Sequence, residues 1–116
     1  MYEYKAKVVS VYDADTMRVD IDLGFGVWMK NQVIRWLEID AWEMRGEEKA
    51  MGTVARDRVR DLILDKEVIL KTYKDDKGKY GRWLAEVYQI EVKDRVWNNS
   101  INEQLIQEGH AVPYPG

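Results

Sequence analysis

Glu47-Glu48-Lys49-Ala50-Met51-Gly52-Thr53-Val54-Ala55-Arg56-Asp57-Arg58-Val59-Arg60-Asp61-Leu62-Ile63-Leu64 is the stretch at which the rhythm of the chain changes. Met51, Val54, Ala55, Val59, Leu62 and Ile63 recur at helical spacing, with Glu47, Glu48, Arg56, Asp57, Arg60 and Asp61 elsewhere, which predicts one long amphipathic helix. The sequence on either side of it reads as strand. Upstream, residues 4 to 12 form a first strand, and Met17, Val19, Ile21 and Leu23 alternate with Arg18, Asp20 and Asp22 as a second strand with one wet face. Gly24-Phe25-Gly26 turns the chain, and residues 27 to 39, rich in Val, Ile and Trp, give a third strand ending in the acidic loop Asp40-Ala41-Trp42-Glu43.

Downstream, residues 67 to 73 read as a fourth strand, Asp75-Asp76-Lys77-Gly78 as a turn and residues 79 to 90 as a fifth. Ser100-Ile101-Asn102-Glu103 fits a capping box that opens a carboxyl-terminal helix with Leu105 and Ile106 on its apolar face, and Gly109 is placed to end it. No repeat, low-complexity tract or proline-rich linker divides the chain, so residues 1–116 read as a single domain. The fold class is α+β, mainly β. A helix between strands three and four matches the order of the five-stranded Greek-key barrel of oligonucleotide- and oligosaccharide-binding (OB) proteins, and a generic α+β sandwich shares the same elements.

Composition removes much chemistry. The chain has no Cys and one His, which excludes thiolate metal sites, iron–sulfur clusters, a Cys nucleophile and a His-rich metal centre. No run of about 18 apolar residues is present to cross a membrane. The alternating start Met1-Tyr2-Glu3-Tyr4-Lys5 offers no export signal, so a cytoplasmic location is expected. Net charge is −3, an unpromising average for a nucleic-acid partner. Its distribution is uneven: residues 1–44 carry 5 basic and 8 acidic side chains, residues 45–82 carry 11 and 8, and residues 83–116 carry 2 and 5. A basic middle between acidic ends is compatible with a phosphate-facing surface beside a cation site, and equally with a solvated helix face.

Three groups of residues carry candidate chemistry. Asp13-Ala14-Asp15-Thr16 puts two carboxylates at i and i+2, on one face of an extended segment, where they suit a hard cation. A helix-loop-helix calcium loop is excluded because Met17 and Arg18 stand where an oxygen ligand and a Gly are required. A haloacid-dehalogenase-type phosphatase is excluded by Met17 and by the absence of a doubly wound sheet. The second group is Arg35 with Asp40 and Glu43, and the third is Gly78-Lys79-Tyr80-Gly81-Arg82, where small residues beside cations leave room for a phosphate. Taken singly, each also reads as a turn or a surface ion pair. The lone His110, after a helix-ending Gly, reads as a cap or surface group.

Taken together, Val9-Ser10-Val11-Tyr12-Asp13-Ala14-Asp15-Thr16-Met17-Arg18-Val19, Arg35-Trp36-Leu37-Glu38-Ile39-Asp40-Ala41-Trp42-Glu43 and Lys79-Tyr80-Gly81-Arg82-Trp83-Leu84-Ala85 resemble, in order, the signatures of the staphylococcal nuclease (thermonuclease) family, in its short phage and bacterial form. The resemblance extends to the carboxyl end through Glu108-Gly109-His110-Ala111. It implies a monomeric, calcium-dependent phosphodiesterase acting on DNA and RNA with little sequence choice. By the same resemblance, Asp15, Asp40 and the carbonyl of Ala41 hold Ca2+, Thr16 orders that set through water, and Asp13 supports it from behind. Glu43 orients or deprotonates the attacking water, and Arg35 and Arg82 grip the phosphate. Lys79, Tyr80 and Tyr114 hold the adjoining nucleotide.

Physical chemistry accords with these roles. Two carboxylates about 5 Å apart repel by about 3 kcal/mol at an effective dielectric of 20, which a divalent cation relieves. Guanidinium forks meet the charge gathering on a phosphoryl group better than ammonium does. The chain departs from the family at Ala14, where Gly is common and a positive φ would be strained, and at Trp42, where Pro is usual and an aromatic ring could stack on a base. Two rivals stand beside the enzyme: a catalytically silent nucleic-acid-binding barrel, and a protein-binding phage module favoured by the acidic pI.

Overall fold

The computed structural model of the chain describes residues 2–42, 46–74, 83–90 and 100–113. Strands β1 (Tyr2–Asp13), β2 (Thr16–Asp22), β3 (Trp28–Trp36), β5 (Glu67–Lys74) and β6 (Trp83–Gln89) close into a barrel in the order β1-β2-β3-β6-β5, with β5 returning to β1. Every pairing is antiparallel except β3 with β6, where Ile34 faces Trp83 and Arg35 faces Leu84. This is the OB-type topology expected from the order of elements. Closure depends on β1, whose 12 residues serve two neighbours, β5 through Tyr2–Lys7 and β2 through Lys5–Asp13. Register shifts between Val8 and Ser10 and between Val11 and Asp13 bend the strand enough to do both. Val8, Met17, Val19, Ile34, Trp36, Leu70 and Val87 fill the interior.

The expected third strand is interrupted, and the interruption builds the site. Strand β3 stops at Trp36, and Glu38 takes φ +60°, a left-handed conformation that turns the chain away from the barrel. The amide of Leu37 donates to the carbonyl of Ala85 at 2.8 Å and fixes the point of departure. Residues Ile39–Ala41 then form a separate short strand, β4, paired antiparallel with β7 (Ala111–Pro113). Asp40 therefore sits on a second, two-stranded sheet at the edge of the barrel, and is not an extension of β3.

A 3₁₀ turn at Gly46–Glu48 leads into α1 (Lys49–Ile63), where the expected helix lies. Its buried stripe is Gly52, Ala55, Val59 and Ile63. Met51 and Val54, expected on that stripe, are 47% and 59% exposed, because the helix rotates to bring the small residues Gly52 and Ala55 against the barrel. Helix α2 (Ile101–Gln107) begins as its capping motif requires, with the Ser100 side chain accepting from the Glu103 amide at 3.2 Å. Gly109, at φ +80°, ends it, its amide donating to the Ile106 carbonyl. The Asp75–Gly78 turn and residues 79–82 of the expected fifth strand lie outside the described residues. No helix among the described residues is long and apolar enough to cross a membrane.

Candidate active site at the barrel edge

The tight β1–β2 connection starts the site. The amide of Asp15 donates to Asp13 Oδ1 at 3.0 Å, an Asx turn that holds the hairpin closed. Burial, with the hydrogen bonding and charge of the neighbouring Asp15 carboxylate, pushes the Asp13 carboxyl up to about 7. Ala14 is fully buried, and it is not among the non-glycine residues with positive φ, which are Phe25, Asn31, Glu38 and Asp65 among those described. The hairpin accepts Ala without the strain that a left-handed conformation would impose.

Asp15 is the hub. Its side chain is 11% exposed; Oδ1 accepts from the Thr16 hydroxyl at 3.1 Å, and Oδ2 accepts from the amide of Ala41 at 2.9 Å. The second of these bonds joins the barrel to β4, so one carboxylate ties together two sequence motifs 26 residues apart. The Asp15 carbonyl also accepts from the Trp36 amide at 2.9 Å, where β3 leaves the barrel.

Arg35 lies beside Thr16 in the β2–β3 register and extends along this edge. Its Nη1 donates to the carbonyls of Trp36, at 3.1 Å, and Asp15, at 3.4 Å. The same guanidinium stands 3.5 Å from Asp15 Oδ2 and 3.8 Å from Asp40 Oδ1. Its orientation is thus set by main-chain carbonyls, and its attraction to the two carboxylates is through space at longer range. Arg35 is only 17% exposed at its side chain, whereas Asp40 is 57% exposed and faces solvent. The edge therefore holds one buried and one open carboxylate about a fixed cation.

The structure brings together Asp13, Asp15, Thr16, Arg35, Asp40 and Ala41 at one edge of the barrel. Glu43, Lys79, Tyr80, Arg82 and Tyr114 lie outside the described residues. No group of three or more His, Asp or Glu side chains converges among the described residues. The groups there that could hold a cation are the carboxylates of Asp15 and Asp40 and the Ala41 carbonyl, hard oxygen atoms of the kind that suit calcium better than a soft transition metal.

Two supporting residues carry more than the sequence reading gave them. Trp42 packs against the core, and its Nε1 donates to the Gly109 carbonyl at 3.0 Å, tying the chain just before Glu43 to the end of α2. That fastening restrains the segment in a different way from the ring of the Pro usual in the resembling family. Asn102, missed in the sequence beyond its place in the capping box, is 4% exposed and braces three elements. Its Oδ1 accepts from the Val87 amide at 2.9 Å, and its Nδ2 donates to the carbonyls of Leu37 at 3.0 Å and Ala85 at 3.2 Å. The available signal was an Asn on the apolar face shared by Ile101 and Leu105.

No curated relative matches the chain in sequence. The family model described as staphylococcal nuclease homologue matches residues 33–115, a span that includes Arg35, Asp40 and Ala41 and stops short of Asp13, Asp15 and Thr16, which the fold supplies. With most of its length matched and an OB-type barrel as its framework, the chain belongs to the family of staphylococcal nuclease homologues.

Proposed function

We propose that this protein is a calcium-dependent nuclease that hydrolyses phosphodiester bonds of DNA and/or RNA with little sequence selectivity. The observation that carries the reading is the Arg35 guanidinium, held by two carbonyls between the carboxylates of Asp15 and Asp40. A module that only binds nucleic acid needs cations and aromatic rings, and has no use for carboxylates facing a phosphate.

Asp15, Asp40 and the Ala41 carbonyl would hold the cation, with Thr16 fixing the Asp15 carboxylate and Asp13 supporting the hairpin behind it. When bound, Ca2+ offsets the carboxylate repulsion and polarises a phosphoryl oxygen. Arg35, with Arg82, donates to the equatorial oxygens as their negative charge grows. Because Arg35 is already oriented by main-chain acceptors, it reorganises little when that charge appears. Glu43 orients the attacking water or takes its proton, so that a water oxygen bonds to phosphorus as the ester P–O bond breaks. Lys79, Tyr80 and Tyr114 hold the adjoining nucleotide, and solvent exposure of Asp40 leaves the edge open to a strand.

The test is cleavage of labelled single- and double-stranded DNA and RNA by the purified protein across a calcium and chelator series, beside Glu43→Gln and Asp40→Asn. Calcium-dependent cleavage that both substitutions lower by at least about a hundredfold is expected. Binding without cleavage at any calcium concentration would establish the silent module instead.

A further inference from the structure

We propose that a second nucleic-acid-binding site lies beside this edge, in a groove of about 470 Å³ between the outer face of the barrel and α1, where it takes the phosphodiester backbone of a strand running on from the reaction site. The identity of that strand rests on the nuclease reading; the groove itself is a separate feature. Its walls present Tyr12 and Ser10 from β1, Thr16 and Arg18 from β2, and Arg56 and Arg60 from α1. Three guanidiniums and no carboxylate line it, in a chain whose net charge is −3. The Asp57 carboxylate stands 3.3 Å from Arg56 Nε and 3.9 Å from Arg60 Nη1, and offsets one of those charges.

Position makes the groove a continuation of the site. Thr16 pairs with Arg35 and Arg18 with Val33, so Arg18 occupies the next outward position on β2, about 7 Å along the strand from Thr16. Thr16 thus belongs to both places: its hydroxyl fixes Asp15, and its side chain lines the groove.

The groove is also partly built for anions. Arg60 Nη2 donates to the Val11 carbonyl at 3.0 Å, which holds that fork against the barrel, and Arg18 Nη1 reaches the Asn31 carbonyl at 3.4 Å. A guanidinium carries five N–H donors, so bonds to a single carbonyl leave most of them for phosphate oxygens. Beside them the ring of Tyr12 is 71% exposed, a flat platform for an unpaired base next to cations that can hold its backbone.

The test follows amide NMR signals of the isotope-labelled full chain in chelator, titrated with a DNA strand of about a dozen nucleotides or with a dinucleotide. Signals of Tyr12, Arg18 and Arg56 should move with the longer strand and stay in place with the dinucleotide. In anisotropy titrations, Arg18→Gln/Arg56→Gln should flatten the log–log salt slope for the longer strand by about 1.4, the loss of two phosphate contacts. Movement confined to the Asp15–Arg35–Asp40 edge, or an unchanged slope, overturns the groove. Parallel calcium-dependent cleavage by the parent protein separates the two readings. Cleavage with a silent groove overturns the groove alone, and a responsive groove without cleavage overturns the nuclease reading while supporting the groove.

Discussion

Replacing Asn102 with Leu tests how the site is held. The two side chains have the same number and branching of heavy atoms, and Leu is the larger, so the substitution removes the polar atoms and leaves no cavity. The Val87 amide, inside the barrel wall, loses its acceptor at 2.9 Å, and an orphaned buried amide costs about 1–3 kcal/mol. The Leu37 carbonyl loses a donor at 3.0 Å, about 1 kcal/mol more. The Ala85 carbonyl keeps the Leu37 amide at 2.8 Å and so loses little. The sum is about 3 kcal/mol, a large part of the roughly 5–15 kcal/mol that stabilises a domain. In urea titrations followed by tryptophan fluorescence the midpoint should fall with an unchanged slope, and the melting temperature should drop by roughly 10 °C. A loss under about 1 kcal/mol would refute the claim that Asn102 braces α2, β6 and the turn that delivers Asp40.

Trp42→Phe keeps most of the ring packing and removes the indole donor to the Gly109 carbonyl. It should cost about 1 kcal/mol of stability and lower the cleavage rate more than that loss explains, since Glu43 follows directly; an unchanged rate would leave Trp42 as packing only. Arg58 and Gln104 hydrogen bonds hold the Glu108 carboxyl at about 2, below its ordinary 4.5. Because the folded value is the lower one, the stabilisation is complete above about pH 4.5 and is lost as pH falls toward 2. The pair is at the surface, so the advantage over Glu108→Gln should not exceed about 1 kcal/mol near neutrality and should vanish in acid, as unfolding titrations across that range would show.

Much of the fold was legible because its signals are local. Met17, Val19 and Ile21 alternate as a strand with one buried face must, and Ser100 and Gly109 mark the ends of α2 by hydrogen bonds to their near neighbours. The break at Leu37-Glu38 was not legible, since Glu38 carries no turn signature and its left-handed φ follows Leu37, whose amide and carbonyl are held by Ala85 and Asn102, remote in sequence. The rotation of α1 escaped for a similar reason: Met51 and Val54 are as apolar as the buried residues, and the shape of the barrel decides which stripe faces it. At the site, residue types and order pointed to Asp15, Arg35 and Asp40. The link that organises them, Asp15 Oδ2 to the Ala41 amide, pairs a side chain with a main-chain group and leaves no trace in composition. The uneven charge marked residues 45–82 as basic without saying where those charges point, and folding brings Arg56 and Arg60 to Arg18 across a groove.

The proposed nuclease depends on Arg35 stabilising phosphoryl charge at a calcium-dependent centre. The most direct measurement is the initial rate of cleavage of a labelled DNA strand against free calcium, for the parent protein and Arg35→Lys, with folding checked by circular dichroism. The rate should rise and saturate with calcium, disappear in chelator, and fall about a hundredfold or more in the folded Lys variant. Equal rates in calcium and chelator, or a Lys variant as fast as the parent, would contradict the proposal.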